Sequence, residues 1–163
     1  MRIRNATTSD LPCIVAIYNA SIPERRATAD LKPISVESRE NWFAAHNPSK
    51  HPIWVVENQD CITGWLSFQP FYGRPAYEQT AEISIYIASE YQQQGLGKML
   101  LTEAINRSPE FNIKTLLAFV FGHNYPSLQL FKKYGFQVWG NLPKIALMDD
   151  KEYDLIILGL RIN

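Results

Sequence analysis

A chain of 163 residues, 46% hydrophobic and 20% charged, has the size and composition of one compact soluble domain. Sixteen basic residues balance sixteen acidic ones, which excludes a net field that would gather nucleic acid or an anionic membrane. Cys13 and Cys61 are too few for a disulfide framework, and His46, His51 and His123 show no zinc-ligand spacing, so no metal is expected.

The first ten residues are polar and lack the apolar core of a secretory signal, and no apolar run approaches the ~20 residues that span a bilayer. The expectation is a cytoplasmic protein with a single domain over residues 1–163. Ile3 and Arg4 suit a short opening strand. Thr8 and Ser9 can cap a helix whose apolar face is Leu11, Ile14, Val15 and Tyr18, the 3–4 spacing of an amphipathic helix. Residues 21–33 have no clean period and read as a loop. Ser35 can cap a second helix that runs to about Ala45, before Asn47-Pro48 stops it.

Residues 53–57 and 61–69 are rich in strand formers and flank Asn58-Gln59-Asp60, the pattern of a hairpin. A long aromatic loop follows over 70–79. Residues 81–88 alternate, with Ile83, Ile85 and Ile87 on one face and Glu82, Ser84 and Tyr86 on the other. A helix over 97–107 carries Leu100, Leu101, Ala104 and Ile105 inward and stops at Ser108-Pro109. A strand over 114–121 leads to a helix with Pro126 in its first turn and Gly135 at its end. Residues 136–140 and 153–160 read as closing strands. The order predicts an α/β fold: a mixed, mostly antiparallel central sheet with helices on both faces.

The segment Gln92-Gln93-Gln94-Gly95-Leu96-Gly97-Lys98 joins a strand to a helix. Glycines let backbone N–H groups converge, and the helix start adds free N–H groups and about half a positive charge. This is an anion site suited to a pyrophosphate. It is not a Walker A loop, because Gly97-Lys98 is followed by Met99, and it lacks the third glycine of a dinucleotide loop. Alone, two glycines can also do no more than shape a strand-to-helix turn.

Gln-x-x-Gly-x-Gly after an alternating strand and before an amphipathic helix resembles motif A of the GNAT superfamily of N-acetyltransferases. Downstream, Asn124-Tyr125-Pro126-Ser127 and the stretch from Leu130 to Phe136 resemble its motif B. Within the superfamily the chain is similar to the phosphinothricin (methionine sulfoximine) acetyltransferases, through Arg74-Pro75-Ala76-Tyr77, residues 80–87 and residues 123–127.

That resemblance implies the acyl-CoA N-acyltransferase fold, acetyl-CoA as co-substrate, a small amino-acid-like acceptor and a homodimer. It implies that Ile85, Tyr86 and Ile87 offer main-chain groups to the pantetheine arm. It also implies that Gln93, Gln94, Gly95, Leu96, Gly97 and Lys98 wrap the pyrophosphate, and that Asn124 touches the cofactor near its acyl end.

Acetyl transfer to an amine needs a neutral amine, a polarised thioester carbonyl and a proton for the departing thiolate. By the resemblance Glu82 is the general base; local sequence alone favours an ordinary charged residue at a strand end. Arg74 can fork onto an acceptor carboxylate, with Tyr77 beside it, or stand in water as a loop arginine. Many superfamily members have a tyrosine where this chain has Phe131, so Tyr125, His123 or a water is left to supply the acid. A polyamine, aminoglycoside or protein N-terminus remains an alternative acceptor, and a non-catalytic acyl-CoA-binding module an alternative role.

Overall fold

The computed structural model describes residues 1–163. Seven strands form one sheet: β1 (Arg2–Asn5), β2 (Ile53–Asn58), β3 (Cys61–Pro70), β4 (Thr80–Ile87), β5 (Thr115–Phe121), β6 (Gln137–Met148) and β7 (Lys151–Arg161). Their order across the sheet is β1-β2-β3-β4-β5-β7-β6, and β4 with β5 is the single parallel neighbour pair.

The helices divide between the two faces by the period-2 alternation of the strands. Trp54, Val56, Leu66, Phe68, Ala81 and Ile83 point to one face and pack with Leu96, Leu100, Leu101 and Ala104 of α3 (Leu96–Arg107) and Phe131 of α4 (Tyr125–Lys133). Ile53, Val55 and Trp65 point the other way, against Ile14, Ile17 and Tyr18 of α1 (Leu11–Ser21). The short α2 (Glu40–Ala44) adds Trp42 and Phe43 on that second face. Fully burying each large side chain stabilises the fold by roughly 1.5–3 kcal/mol.

The expected layers are present, and four local readings change. The first helix is preceded by a 3-10 turn, Thr8–Asp10, and Asp10 organises the entry: its carboxylate accepts from the Thr7 N–H at 2.7 Å and from Arg4 at 2.7 and 3.0 Å. Thr8 and Ser9 are therefore not the cap. The second helix is split into a 3-10 turn, Glu37–Arg39, and the five-residue α2; Ser35 Oγ does accept from the Ser38 N–H at 3.2 Å. The loop at 21–33 opens with a 3-10 turn, Ile22–Glu24.

The last hairpin is far longer than expected. β6 continues past Gly140 to Met148, and β7 begins at Lys151. Irregularities between Val138 and Gly140 and between Leu142 and Ala146 conceal the alternation that would have marked the strand. Lys144 takes a left-handed conformation in the second of them, where its N–H donates to Asp154 Oδ1 at 2.9 Å.

Candidate active site

The site begins where a ladder ends. β4 pairs with β5 only through Thr80, Ala81 and Glu82, opposite Thr115, Leu116 and Leu117. Beyond Glu82, β4 bonds only to β3, and beyond Leu117, β5 bonds only to β7. The two strands part, leaving one edge of residues 83–87 without a partner strand. A cleft of about 540 Å3 opens there. Glu82 lines it where the ladder ends, together with Ser127 and Phe131 of α4, the α4 cap Asn124 and residues 145–148 of β6.

Glu82 is half-buried and makes neither a hydrogen bond nor an ion pair. Burial pushes its carboxyl above the usual carboxylate range, since desolvation penalises the charged form and no cation offsets it. A carboxyl in that condition suits proton abstraction better than an exposed glutamate does.

The turn between β4 and α3 presents the second element. Gly95, at φ +85°, starts α3 with no side-chain cap, so the first-turn N–H groups stay available to an anion. A Cβ at Gly95 would meet nothing within 4 Å, which leaves its outer side open to a ligand. Gly97 is different: a Cβ there would lie 3.2 Å from Leu130 Cδ2, so this glycine also serves the close packing of α3 on α4. Gln93, Gln94 and Lys98 are exposed around the turn, whereas the Leu96 side chain is buried in the core and only its backbone can face a ligand. Gln93 is itself at positive φ, and Gln94 Nε2 donates to Glu90 O at 3.0 Å, which fixes the curve of the turn.

Asn124 caps α4, accepting from the Ser127 N–H at 3.4 Å, and its Nδ2 donates to Arg26 O at 3.2 Å. That second bond belongs to a row. His123 Nε2 donates to Arg25 O at 2.6 Å, and Tyr86 OH donates to Ala27 O at 3.1 Å. Three consecutive carbonyls of the α1–α2 loop are thus tied to groups on both sides of the cleft. Nothing in the aperiodic stretch at 21–33 signals this strap, because it is held by single side chains rather than by a repeating pattern.

Glu82, Ile85, Tyr86 and Asn124 line the one cleft, with the Gln93–Lys98 turn following from β4. Arg74 and Tyr77 do not join them. They lie in the β3–β4 loop, exposed, where Tyr77 packs on Phe71 and Tyr72. Of the suggested acid groups, Tyr125 is 68% exposed, and His123 has its Nε2 engaged by Arg25 O. Phe131 is buried in the cleft wall and has no proton to give.

The sequence model of the Acetyltransferase (GNAT) family matches residues 14–136, three quarters of the chain and all of the cleft except residues 145–148 and Leu155. The chain belongs to this family.

Among relatives of this GNAT protein, YwnH of Bacillus subtilis (strain 168), provisionally named a phosphinothricin acetyltransferase, is 48% identical over the whole of both chains. The L-methionine sulfoximine/L-methionine sulfone acetyltransferase of Pseudomonas paraeruginosa is 28% identical, covering 99% of this chain and 94% of its own. The solved structure of yncA from Salmonella typhimurium, described with acetyl-CoA as its cofactor, superposes with a TM-score of 0.91 at 25% identity. That likeness covers 99% of this chain and 94% of the other. In the GNAT protein the donor groups fit the same co-substrate: a half-buried carboxyl and a free strand edge line the cleft, and the uncapped start of α3 follows them in the chain.

Proposed function

We propose that this acetyl-CoA-dependent N-acetyltransferase acetylates the amino group of a small amino acid of the phosphinothricin or methionine sulfoximine type, by direct transfer with Glu82 as general base. The observation that carries the reading is the position of Glu82: it is the last residue of the β4–β5 ladder and so stands where the cleft opens. The names of the relatives support the acceptor class.

In this reading the pyrophosphate rests on the backbone of Gly95, Leu96, Gly97 and Lys98, with Gln93 and Gln94 beside it. The pantetheine arm pairs with the open edge of β4 at Ile85, Tyr86 and Ile87, which supplies hydrogen bonds that β5 does not. Asn124 meets the cofactor near the acyl end. Glu82 takes the amine proton directly or through a water, and backbone N–H groups of the β4 edge stabilise the oxyanion. A thiol near pKa ~8.5 is a fair leaving group, so the thiolate departs without a dedicated tyrosine.

A homodimer completes the proposal. β6 is a sheet edge that exposes Val138, Trp139, Ile145 and Leu147, an apolar strip of the kind a second copy covers. Arg74 and Tyr77, outside their own cleft, then serve the acceptor from the loop of a neighbouring copy. The domain over residues 1–163 acts in the cytoplasm; no helix is long and apolar enough to cross a membrane.

The phenylalanine at position 131 favours one other reading, a module that binds acyl-CoA without turnover. Thiol release in the presence of methionine sulfone separates the two. Under the proposal Glu82→Gln keeps its acetyl-CoA affinity and loses roughly 10²–10⁴-fold in turnover. In wild type kcat/KM rises with pH through the upward-shifted Glu82 pKa, and that limb disappears in the variant. Equal turnover and an identical pH profile in Glu82→Gln would remove the base assignment.

A further inference from the structure

The gap between β4 and β5 is covered differently on its two faces. On one face α3 and α4 pack against the sheet. The strap crosses the other. Tyr86 points to the α1–α2 face, where its ring stacks on Trp65 at 4.7 Å, and its OH reaches Ala27 O from the β4 side of the gap. His123 and Asn124, just past the end of β5, reach Arg25 O and Arg26 O from the β5 side. The chain between these ties therefore spans the gap. Arg26, Ala27, Thr28 and Ala29 line the same cleft as Glu82.

Both ends of the strap are anchored by side chains. Arg25 holds a left-handed backbone, with φ at 56°. Its side chain donates to Asp149 Oδ2 at 3.0 Å, in the β6–β7 turn, and to Leu31 O at 2.9 Å. At the other end Tyr18 of α1 closes a ring of bonds with Thr28 and Asp30. The Tyr18 O–H donates to Asp30 Oδ2, so the Thr28 hydroxyl donates to the Tyr18 oxygen. Thr28 Oγ1 in turn accepts from the Asp30 N–H at 3.2 Å. Thr28 is buried, and Arg39 adds an ionic contact to Asp30 at 3.6 Å. Fixing so much of an irregular loop opposes folding entropically, and the result is a firm wall on the cleft.

A firm wall matters here because of water. No cation or hydrogen-bond donor offsets the burial of Glu82, and a carboxylate that takes a proton from an amine takes one from water as well. A water oxygen would attack the thioester carbonyl carbon and pass its proton to Glu82. The carbon–sulfur bond would break and the thiolate would be protonated, leaving acetate and CoA. The base does not discriminate against this reaction; exclusion of bulk water does.

We propose that the 25–30 strap is a water barrier, held across the β4–β5 gap by Tyr18, Tyr86 and His123 so that the acetyl group passes to an amine instead of being hydrolysed. Tyr18 and His123 are positioning residues that act through the strap. The barrier rests on the acetyl-transfer reading above and adds to it the choice of amine over water.

The test follows acetate by NMR with acetyl-CoA and no amine, in wild type, in Tyr18→Phe combined with His123→Phe, and in Asp10→Ala. Phenylalanine keeps a ring at each position, including the packing of residue 123 between Phe121 and Tyr153, and removes the bonds to the strap. The double variant should form acetate roughly tenfold faster than wild type or more. Its acetyl-CoA dissociation constant, measured by calorimetry, should hold and certifies the fold. Asp10→Ala breaks bonds to Arg4 and Thr7 and none to the strap, so its acetate rate should match wild type. Tyr18→Phe alone should show a smaller rise and serves if the double variant does not fold. Acetate at the wild-type rate in variants that still bind acetyl-CoA overturns the barrier and leaves the transfer reading intact. An equal rise in Asp10→Ala does the same. A wild type that acetylates no amine overturns the transfer reading and the barrier together.

Discussion

At the scale of single residues, the two glycines of the β4–α3 turn have separate duties that the sequence presents as one motif. Gly95 is needed for its positive φ and for the open space where its Cβ would point, whereas Gly97 is pressed against Leu130. A β-branched residue at position 95 carries a left-handed backbone penalty of ~1–2 kcal/mol and places atoms over the proposed anion site. Gly95→Val should therefore lose more than tenfold in acetyl-CoA affinity, over ~1.4 kcal/mol, with a modest drop in melting temperature. Gly97→Val should show the reverse emphasis, because its side chain wedges α3 away from α4. Paired calorimetry and thermal melts check this; equal losses of affinity and stability in both variants would reject the division.

At the scale of elements, Asp10 joins three of them. Its carboxylate binds Arg4 on β1 and the Thr7 backbone ahead of α1, and Arg4 reaches on to Glu57 of β2 at 3.2 Å. Asp10→Ala leaves Arg4 short of a partner and the Thr7 N–H unpaired, a loss of about 2–3 kcal/mol, or roughly 5–10 °C in melting temperature. The hydrogen bonds from Arg4 hold the Asp10 carboxyl below its usual range. Its contribution is therefore complete above the unfolded value near ~3.9 and fades as pH falls through the lower folded value. Wild type and Asp10→Ala should converge in stability on acidification; a constant gap would show that the Arg4 pair is not its source.

Elements with an unbroken period were legible in the sequence: the β2–β3 hairpin, β4, α3 and the Pro-started α4 all stand close to where their patterns put them. β6 was cut short because Gly140, Pro143 and a left-handed Lys144 interrupt its alternation. The cofactor turn shows in the glycines, and Glu82 shows only through family likeness, since nothing local separates it from a strand-end charge. Two parts of the structure around the cleft had no signal at all. The strap at 25–27 hangs on His123, Asn124 and Tyr86, each distant in sequence. A small cavity lies under Trp42 because α2 covers the Trp65–Ser67 row, a tertiary fact that no window of residues encodes.

For the whole molecule, the parting of β4 from β5 matters most. A sheet that is unzipped through its middle lacks ladder bonds there, and a ligand lying along the β4 edge replaces some of them. At a hundredfold excess over its dissociation constant, acetyl-CoA should add about 2.7 kcal/mol, raising the melting temperature by roughly 5–10 °C. The gain should come with slower amide hydrogen exchange at residues 83–87; protection confined to α3 would place the arm elsewhere. The split sheet has a cellular side as well. Proteases act on the opened chain, and the opened fraction shrinks as ligand accumulates. Starved of acetyl-CoA, the cell would clear this protein faster; well supplied, it would keep more of it. With the co-substrate in that gap, as proposed, the lifetime of the catalyst is coupled to the abundance of what it consumes.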